Sequence, residues 1–321
     1  MVRRIINKFR KALFNASHLE DLLDRSSRQA TNDINREIRC ELVKREYERL
    51  FLTDETKGVT ETLHDGKKII VSLTSYGQRI HDVYLVIESM MQQTLKPNKI
   101  LLWLAEEEFT TEAIPASLRK LEERGLEIKF CEDLKSYKKL VPTLRQYPDD
   151  IVITIDDDVI YPIDLIDRLY KQHLLHPKDV ICTHAHIIEF SLDGKPVPYV
   201  QWIDPPTDRS RESLSFLPLG IGGVLYPPHS LHPDVFDKSR FRELAPTADD
   251  LWFKFMALKN GVSSRTTPIY EDFNSWIVSI NRKNSPCLFD TNMTANDKQF
   301  ENLLNEFGYD NFSFEERQTK H

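Results

Sequence analysis

The chain is poor in several residue types that usually declare a chemistry. Four cysteines occur in 321 residues, Cys40, Cys131, Cys182 and Cys287. They are scattered, and no pair has metal-ligand or redox spacing, which points to reduced thiols in a cytoplasmic compartment. Cys131 and Cys182 fall in apolar strand-like runs and read as small core residues. No window approaches the roughly 18 apolar residues of a membrane span. No apolar stretch follows the basic N-terminus, so a signal peptide is not expected. Positive charge is not in excess: 43 Lys and Arg stand against 50 Asp and Glu, a formal net charge of −7. That balance argues against nucleic-acid binding as the main role. Internal repeats and low-complexity tracts are absent. Glycine is scarce, with 10 in the chain, yet Gly220, Gly222 and Gly223 crowd into the segment Pro218-Leu219-Gly220-Ile221-Gly222-Gly223. Such crowding marks close approach of backbone to a ligand, or a tight bend. The spacing is not G-x-G-x-x-G and no helix follows directly, so it is not a dinucleotide fingerprint.

What is present is an alternation of strands and helices. Residues 1–65 stand apart as a helical extension. In residues 1–14, Arg3, Arg4, Lys8, Arg10 and Lys11 flank an apolar stripe of Val2, Ile5, Ile6, Phe9 and Leu13. This is the pattern of a basic amphipathic helix on an anionic membrane surface, and equally of a helix docked on the protein's own body. A second helix is predicted over 33–52 from Cys40, Val43, Tyr47 and Leu50, and residues 57–66 read as a polar linker. A catalytic domain is predicted over 66–289. Its strands are Ile69–Thr74, Lys99–Leu104, Leu126–Cys131 and Ile151–Ile155, with helices over 79–93 and 114–124 between them. That rhythm means βαβ units around a parallel sheet. After a helix over 162–173, β-type runs are predicted at Val180–Thr183, Val197–Trp202 and Gly223–Tyr226. A polar, proline-rich segment at 204–215 reads as a lid. A strong helix is predicted over 247–260, and residues 290–321 form a helical tail.

The most informative motif is Asp156-Asp157-Asp158, which ends the apolar run Ile151-Val152-Ile153-Thr154-Ile155. Three like charges at the end of a buried strand repel one another, so a cation is expected there. Mg²⁺ or Mn²⁺ suits hard oxygen ligands and often takes one or two carboxylates plus phosphate oxygens. In an extended segment Asp156 and Asp158 share one side, which makes them the expected metal ligands. The place is where open α/β sheets bind ligands, beyond the carboxyl ends of the strands. A second acidic pair, Asp249-Asp250, opens the late helix. With Thr247 as N-cap, Asp250 would fall at the third helical position and could be merely part of a capping box. Glu271-Asp272 is a third acidic pair. Among ten histidines, His184-x-His186 lacks a nearby third ligand and reads as ordinary.

A parallel sheet ending in Asp-x-Asp, followed by a mixed β region and an acidic pair at a helix start, resembles the GT-A glycosyltransferases, and within them a bacterial family-2-like sugar transferase. The likeness covers residues 67–285. It rests on Ile69 to Tyr76, Ile155 to Asp158, the Leu219–Gly223 loop and Ala248-Asp249-Asp250. The resemblance implies a Rossmann-type mixed sheet with central parallel strands flanked by helices. It implies transfer of a sugar, of the hexosyl class, from a nucleoside diphosphate sugar to the hydroxyl of a glycan or lipid-linked acceptor. The implied setting is surface polysaccharide synthesis at the cytoplasmic face of a bacterial membrane.

On that likeness Ser72, Thr74, Ser75, Tyr76 and Arg79 cradle the nucleoside, and Asp133 faces the base or ribose. Lys138 or Lys139 meets phosphate or holds an aspartate of the triplet. Asp156 and Asp157, with Gly222 and Gly223, line the donor site. Asp156 and Asp158 take Mn²⁺ or Mg²⁺. Asp250, with Asp249 beside it, is the base of an inverting displacement. Three alternatives remain. In a haloacid-dehalogenase-type phosphatase a Thr or Val would stand where Ile160 does. A nucleotidyltransferase would want more glycine in Ser75–Arg79. The third is a non-catalytic, metal-dependent sugar-binding module.

Overall fold

A computed structural model of the protein describes residues 31–202, 213–268, 278–280 and 288–308, with side chains in the last stretch from Ala295 onward. The chain divides into two compact units, Met1–Glu46 and Tyr47–His321. The described part of the first, residues 31–46, is helical and belongs to helix α1, which covers residues 31–53. The basic stretch 1–14 lies outside the described residues.

The second unit is built on a seven-stranded sheet of order β10-β6-β9-β4-β1-β2-β3. Its strands are β1 (Ile69–Thr74), β2 (Lys99–Ala105), β3 (Leu126–Cys131), β4 (Ile151–Thr154), β6 (Val180–Cys182), β9 (Val224–Tyr226) and β10 (Ser264–Thr266). Two small ribbons pair β5 (Val159–Ile160) with β11 (Val278–Ser279), and β7 (Ala185–Ile187) with β8 (Phe216–Pro218). β1 runs parallel to both β2 and β4, β2 to β3, and β6 to β10, while β9 is antiparallel to β4 and β6. The helices are α2 (Val83–Met91), α3 (Ala116–Glu122), α4 (Val141–Gln146), α5 (Leu165–Leu175), α6 (Lys238–Leu244), α7 (Asp249–Lys259) and α8 (Leu288–Phe307). The fold is therefore the expected one, a mixed sheet with a parallel centre flanked by helices.

The central strands β1, β2 and β4 form because their runs are apolar without alternation. Ile69, Ile70, Val71 and Leu73 are all fully buried, as are Ile100, Leu101, Leu102 and Leu104. Residues of both parities are covered, so both faces of the sheet are packed. From β1 the chain moves outward through β2 and β3, then returns to β4 on β1's other side. Connections leaving β1 and β4 thus diverge, and the region beyond their carboxyl ends is where open α/β sheets hold their ligand crevice. This topological switch point positions the site. α8 packs Phe300, Leu303 and Leu304 into the core that holds Phe255 and Trp252 of α7.

The polar segment 57–66 is hydrogen-bonded to the body. The Gly58 amide donates to the Arg124 carbonyl at 2.9 Å and the Thr60 amide to the Pro97 carbonyl at 2.9 Å. Several local expectations change. Val197–Trp202 is not a strand but contains a tight turn, Tyr199–Gln201. Pro196 and Pro198 lack ladder donors, and the Trp202 indole N–H donates back to the Val197 carbonyl at 3.0 Å. The helix expected over 79–93 begins as a separate turn, Gly77–His81, before α2.

The N-terminal part of the unit is fastened by a buried ion pair. Arg124 donates to both oxygens of Glu88, at 2.6 and 3.0 Å, and also to the Thr56 carbonyl at 2.9 Å. Glu88 is fully buried. Glu88→Ala leaves the guanidinium buried without its main partner and should cost about 3–5 kcal/mol. Urea denaturation of the two proteins measures it.

Candidate active site

The aspartate triplet sits just past β4, beside the end of β1. The segment is not extended: Asp157 and Asp158 form a turn. The expected alternation therefore fails. Asp157 and Asp158 share one cation, because Arg79 Nη1 lies 2.8 Å from Asp157 Oδ1 and 3.0 Å from Asp158 Oδ2. Ser75 donates its hydroxyl to Asp157 Oδ2 at 2.6 Å. Asp156 turns instead to Lys139, whose Nζ lies 2.9 Å from Oδ1. The Asp156 amide donates to the Tyr161 hydroxyl at 2.9 Å, and that hydroxyl donates to the Ile221 carbonyl at 3.1 Å. The triplet is thereby tied to the glycine-rich loop.

The second acidic pair converges on the same place. Asp249 and Asp250 open α7, but its N-cap is Ala248 with no side-chain cap bond. Thr247, the expected cap, pairs with Gln299 of α8: its amide donates to Gln299 Oε1 at 2.9 Å and its hydroxyl accepts from Gln299 Nε2 at 2.9 Å. The capping box that was the alternative reading of Asp250 does not form, because α8 has claimed Thr247. Asp250 Oδ2 instead accepts the Gly220 N–H at 3.1 Å. Asp249 Oδ2 lies 3.0 Å from Lys139 Nζ. Lys139 thus bridges the β4 motif and the α7 motif.

Five carboxylates (Asp156, Asp157, Asp158, Asp249, Asp250) face two cations, Lys139 and Arg79, among the described residues. Burial drives the Lys139 pKa down, but Asp156, Asp249 and Asp250 together raise it well above its ordinary value. Arg79 behaves alike, with Asp157 and Asp158 outweighing burial. Burial raises Asp157 against the pull of Arg79 and Ser75. Both of its oxygens nonetheless meet a donor, Arg79 Nη1 at Oδ1 and the Ser75 hydroxyl at Oδ2. Burial and the neighbouring Asp249 push Asp250 up to about 7, against Lys139 and the Gly220 amide. A carboxyl poised near neutrality can accept a proton at working pH.

No group of three or more His, Cys, Asp or Glu side chains among the described residues is arranged to hold a metal ion. The donor set still suits a hard divalent cation that completes its shell from a ligand. The site carries surplus carboxylate charge, and Asp156 has its second oxygen without a hydrogen bond among the described residues. Phosphate oxygens supply the rest in such sites.

The other predicted residues are distributed unevenly. Ser72 is fully buried and shares a hydrogen bond of 2.7 Å with the Thr143 hydroxyl. Thr74 donates to the Trp103 carbonyl at 2.8 Å. Ser72 is thus engaged with α4 and Thr74 within the sheet. Tyr76 is exposed beneath the Arg79 guanidinium, 5.0 Å from its ring centre. Asp133 and Lys138 pair with each other at 2.6 Å. Burial opposes ionisation of Asp133, but Lys135 and Lys138 hold it well below the usual carboxylate range. Gly222 approaches Thr183, whose hydroxyl donates to its carbonyl at 2.7 Å, and Gly223 adopts φ +87° against Leu165. Trp252 is a core residue, fully buried. Burial and then His184 hold His186 down to about 4. Glu271-Asp272 and most of the 204–215 segment lie outside the described residues. Sequence reasoning missed Tyr161 and the Gly220 N–H. A tyrosine before a proline carries no marker, and a backbone donor carries none at all.

No protein-family model matches the chain, and no curated protein matches it. Solved structures with some likeness include a mannosyltransferase, PcManGT from Pyrobaculum calidifontis, in complex with GDP-Man and Mn²⁺. It is 14% identical, covers 74% of this chain and 65% of its own, and has a TM-score of 0.40. TarS 1–349 of S. aureus in complex with UDP is 13% identical, covers 64% and 58%, and scores 0.40. A 4-diphosphocytidyl-2C-methyl-D-erythritol synthase is 10% identical, covers 68% and 96%, and scores 0.39. This chain spans less than two thirds of the length of the first two. At these scores none of the three assigns an activity or a ligand to it.

The Asp250 pKa has a consequence for stability. Its folded value, about 7, lies above the ordinary 3.8, so ionising it disfavours the folded state. That penalty is absent below about pH 4 and complete above about pH 7. Asp250→Asn, which cannot ionise, should melt higher than the wild type at pH 8 and equal it near pH 4. Melting curves across that range give the comparison.

Proposed function

We propose that the protein is a metal-dependent glycosyltransferase that moves a sugar from a nucleoside diphosphate sugar to an acceptor hydroxyl. One observation carries the reading. Two acidic motifs from separate elements meet at the switch-point crevice, and the α7 carboxylate is raised to about 7 instead of serving as a helix cap. Asp156 and Asp158 would hold Mn²⁺ or Mg²⁺, which when bound neutralises the departing diphosphate. Arg79 keeps Asp157 and Asp158 in place and stands at the crevice beside Tyr76. Ser75 fixes Asp157. Asp250 removes the proton from the acceptor hydroxyl. The acceptor oxygen then bonds to the sugar carbon as the bond to the diphosphate breaks, and the nucleoside diphosphate leaves with that electron pair. Attack from the face opposite the leaving group inverts the centre. A glycan or lipid-linked acceptor in bacterial surface polysaccharide synthesis fits this chemistry.

Release of nucleoside diphosphate, with and without acceptor, tests the reading. Asp158→Asn should abolish metal-dependent nucleotide binding in calorimetry while the fold persists. Asp250→Asn should bind donor normally and lower kcat by about 10²–10⁴-fold. Near-wild-type turnover by Asp250→Asn would remove it as the base.

The amphipathic pattern of residues 1–14 supports attachment to the inner face of the cell membrane. Each Lys or Arg near an anionic surface contributes about 1 kcal/mol, which salt screens. Full-length protein should therefore sediment with anionic liposomes at low salt and be released at high salt. Indifference to such liposomes would leave the segment a structural one. No helix among the described residues is long and apolar enough to cross a membrane.

A further inference from the structure

Lys139 ends a short 3₁₀ segment, Lys135–Lys139, just before α4. An isolated buried ammonium is strongly disfavoured. This one is kept charged by carboxylates drawn from two elements, at 2.9 Å from Asp156 and 3.0 Å from Asp249. The adjacent wall is Gly220. A methyl group there would stand 2.7 Å from Lys139 Nζ, 3.0 Å from Asp250 Oδ1 and 3.6 Å from Asp156 Oδ1. Gly220 has no left-handed φ, so space and not backbone conformation calls for glycine. The space a side chain at residue 220 would need is therefore taken by the amine, with the acceptor-side and donor-side carboxylates at its margin. The loop carrying Gly220 is held from both sides, by its own N–H on Asp250 and by Tyr161 between Ile221 and Asp156.

We propose that Lys139, with Gly220 as the gap that admits it, is a positioning residue that locks the metal-side and base-side aspartates into one constellation before any ligand binds. The kinetic part of this inference rests on the glycosyl-transfer reading; the bridge itself does not. The amine is a fixed charge, and no proton leaves it. Its role is to set the distance between Asp156 and the Asp249-Asp250 pair. Without it those carboxylates repel one another and separate. Misplacement of reacting groups by about 1 Å can cost about 10²-fold in rate.

Two measurements on the full chain test it. The first uses melting temperatures in the absence of ligand. Asp156→Asn and Asp249→Asn should combine non-additively when Lys139 is present, since they share its amine, and additively in a Gly220→Ala background, where the methyl displaces the amine. Gly220→Ala is chosen over Lys139→Met, which strips three carboxylates of their cation and risks not folding. The second compares Gly220→Ala with Gly58→Ala, whose methyl crowds Met91 outside the site. Both should lose stability. Only Gly220→Ala should lower kcat, by about 10²-fold, with the donor KM within about twofold of wild type. Additive melting shifts with Lys139 present, or a Gly220→Ala enzyme with the kcat of Gly58→Ala, would overturn the positioning role while wild-type turnover keeps the transferase reading. If wild-type protein turns over no nucleotide sugar, the transferase reading fails, and the melting cycle alone decides the bridge.

Discussion

Five carboxylates crowd one edge of a single sheet, and every other feature of the site answers that repulsion. Two of them share Arg79. Two others share Lys139. The fifth, Asp250, takes a backbone N–H and holds its proton more tightly than a free carboxyl. None of these arrangements would form for stability alone, because buried ion pairs recover little more than their own desolvation. They make sense as a site held ready, with charges and dipoles oriented before a reaction begins.

The sheet makes the crowding sustainable. β1 and β4 are neighbours with parallel direction, so their carboxyl ends deliver Ser75 and the triplet to one crevice. The antiparallel β9 follows the glycine-rich loop and pairs with β4, which brings Gly220 to the same edge. α7 then presents its acidic first turn to that loop. The Gly220 N–H and the Tyr161 hydroxyl convert three separate loops into one wall.

Much of the architecture could be read from the chain. β1 appears at the predicted residues because a long apolar run admits few alternatives, and β3 because Leu126, Ile128 and Phe130 alternate with Glu127 and Lys129 after the Gly125 turn signal. The acidic motifs were legible as a pair of charge clusters at a strand end and a helix start. What was not legible is how they are neutralised. The period-two rule placed Asp156 and Asp158 together, but Asp157 and Asp158 turn, and Arg79 claims both. Thr247 looked like a cap because its sequence neighbours suit one; Gln299, over fifty positions away, takes it instead. Local rules describe a helix end well until a distant side chain offers a better partner. Val197–Trp202 failed for a local reason, since Pro196 before it and Pro198 within it favour a turn over a ladder.

The central claim is that the crevice takes a nucleoside diphosphate sugar with a divalent metal. A thermal-shift panel of nucleoside diphosphate sugars, nucleoside diphosphates and free sugars, each with and without Mn²⁺, addresses it most directly. A ligand at about 100 times its Kd adds about 2.7 kcal/mol of stability, a shift easily seen. The account predicts that at least one nucleoside diphosphate sugar, and its matching diphosphate, raises Tm with Mn²⁺ and not without it. Free sugars that raise Tm with Mn²⁺ while every nucleotide leaves it unchanged would contradict the account and make the protein a sugar-binding module.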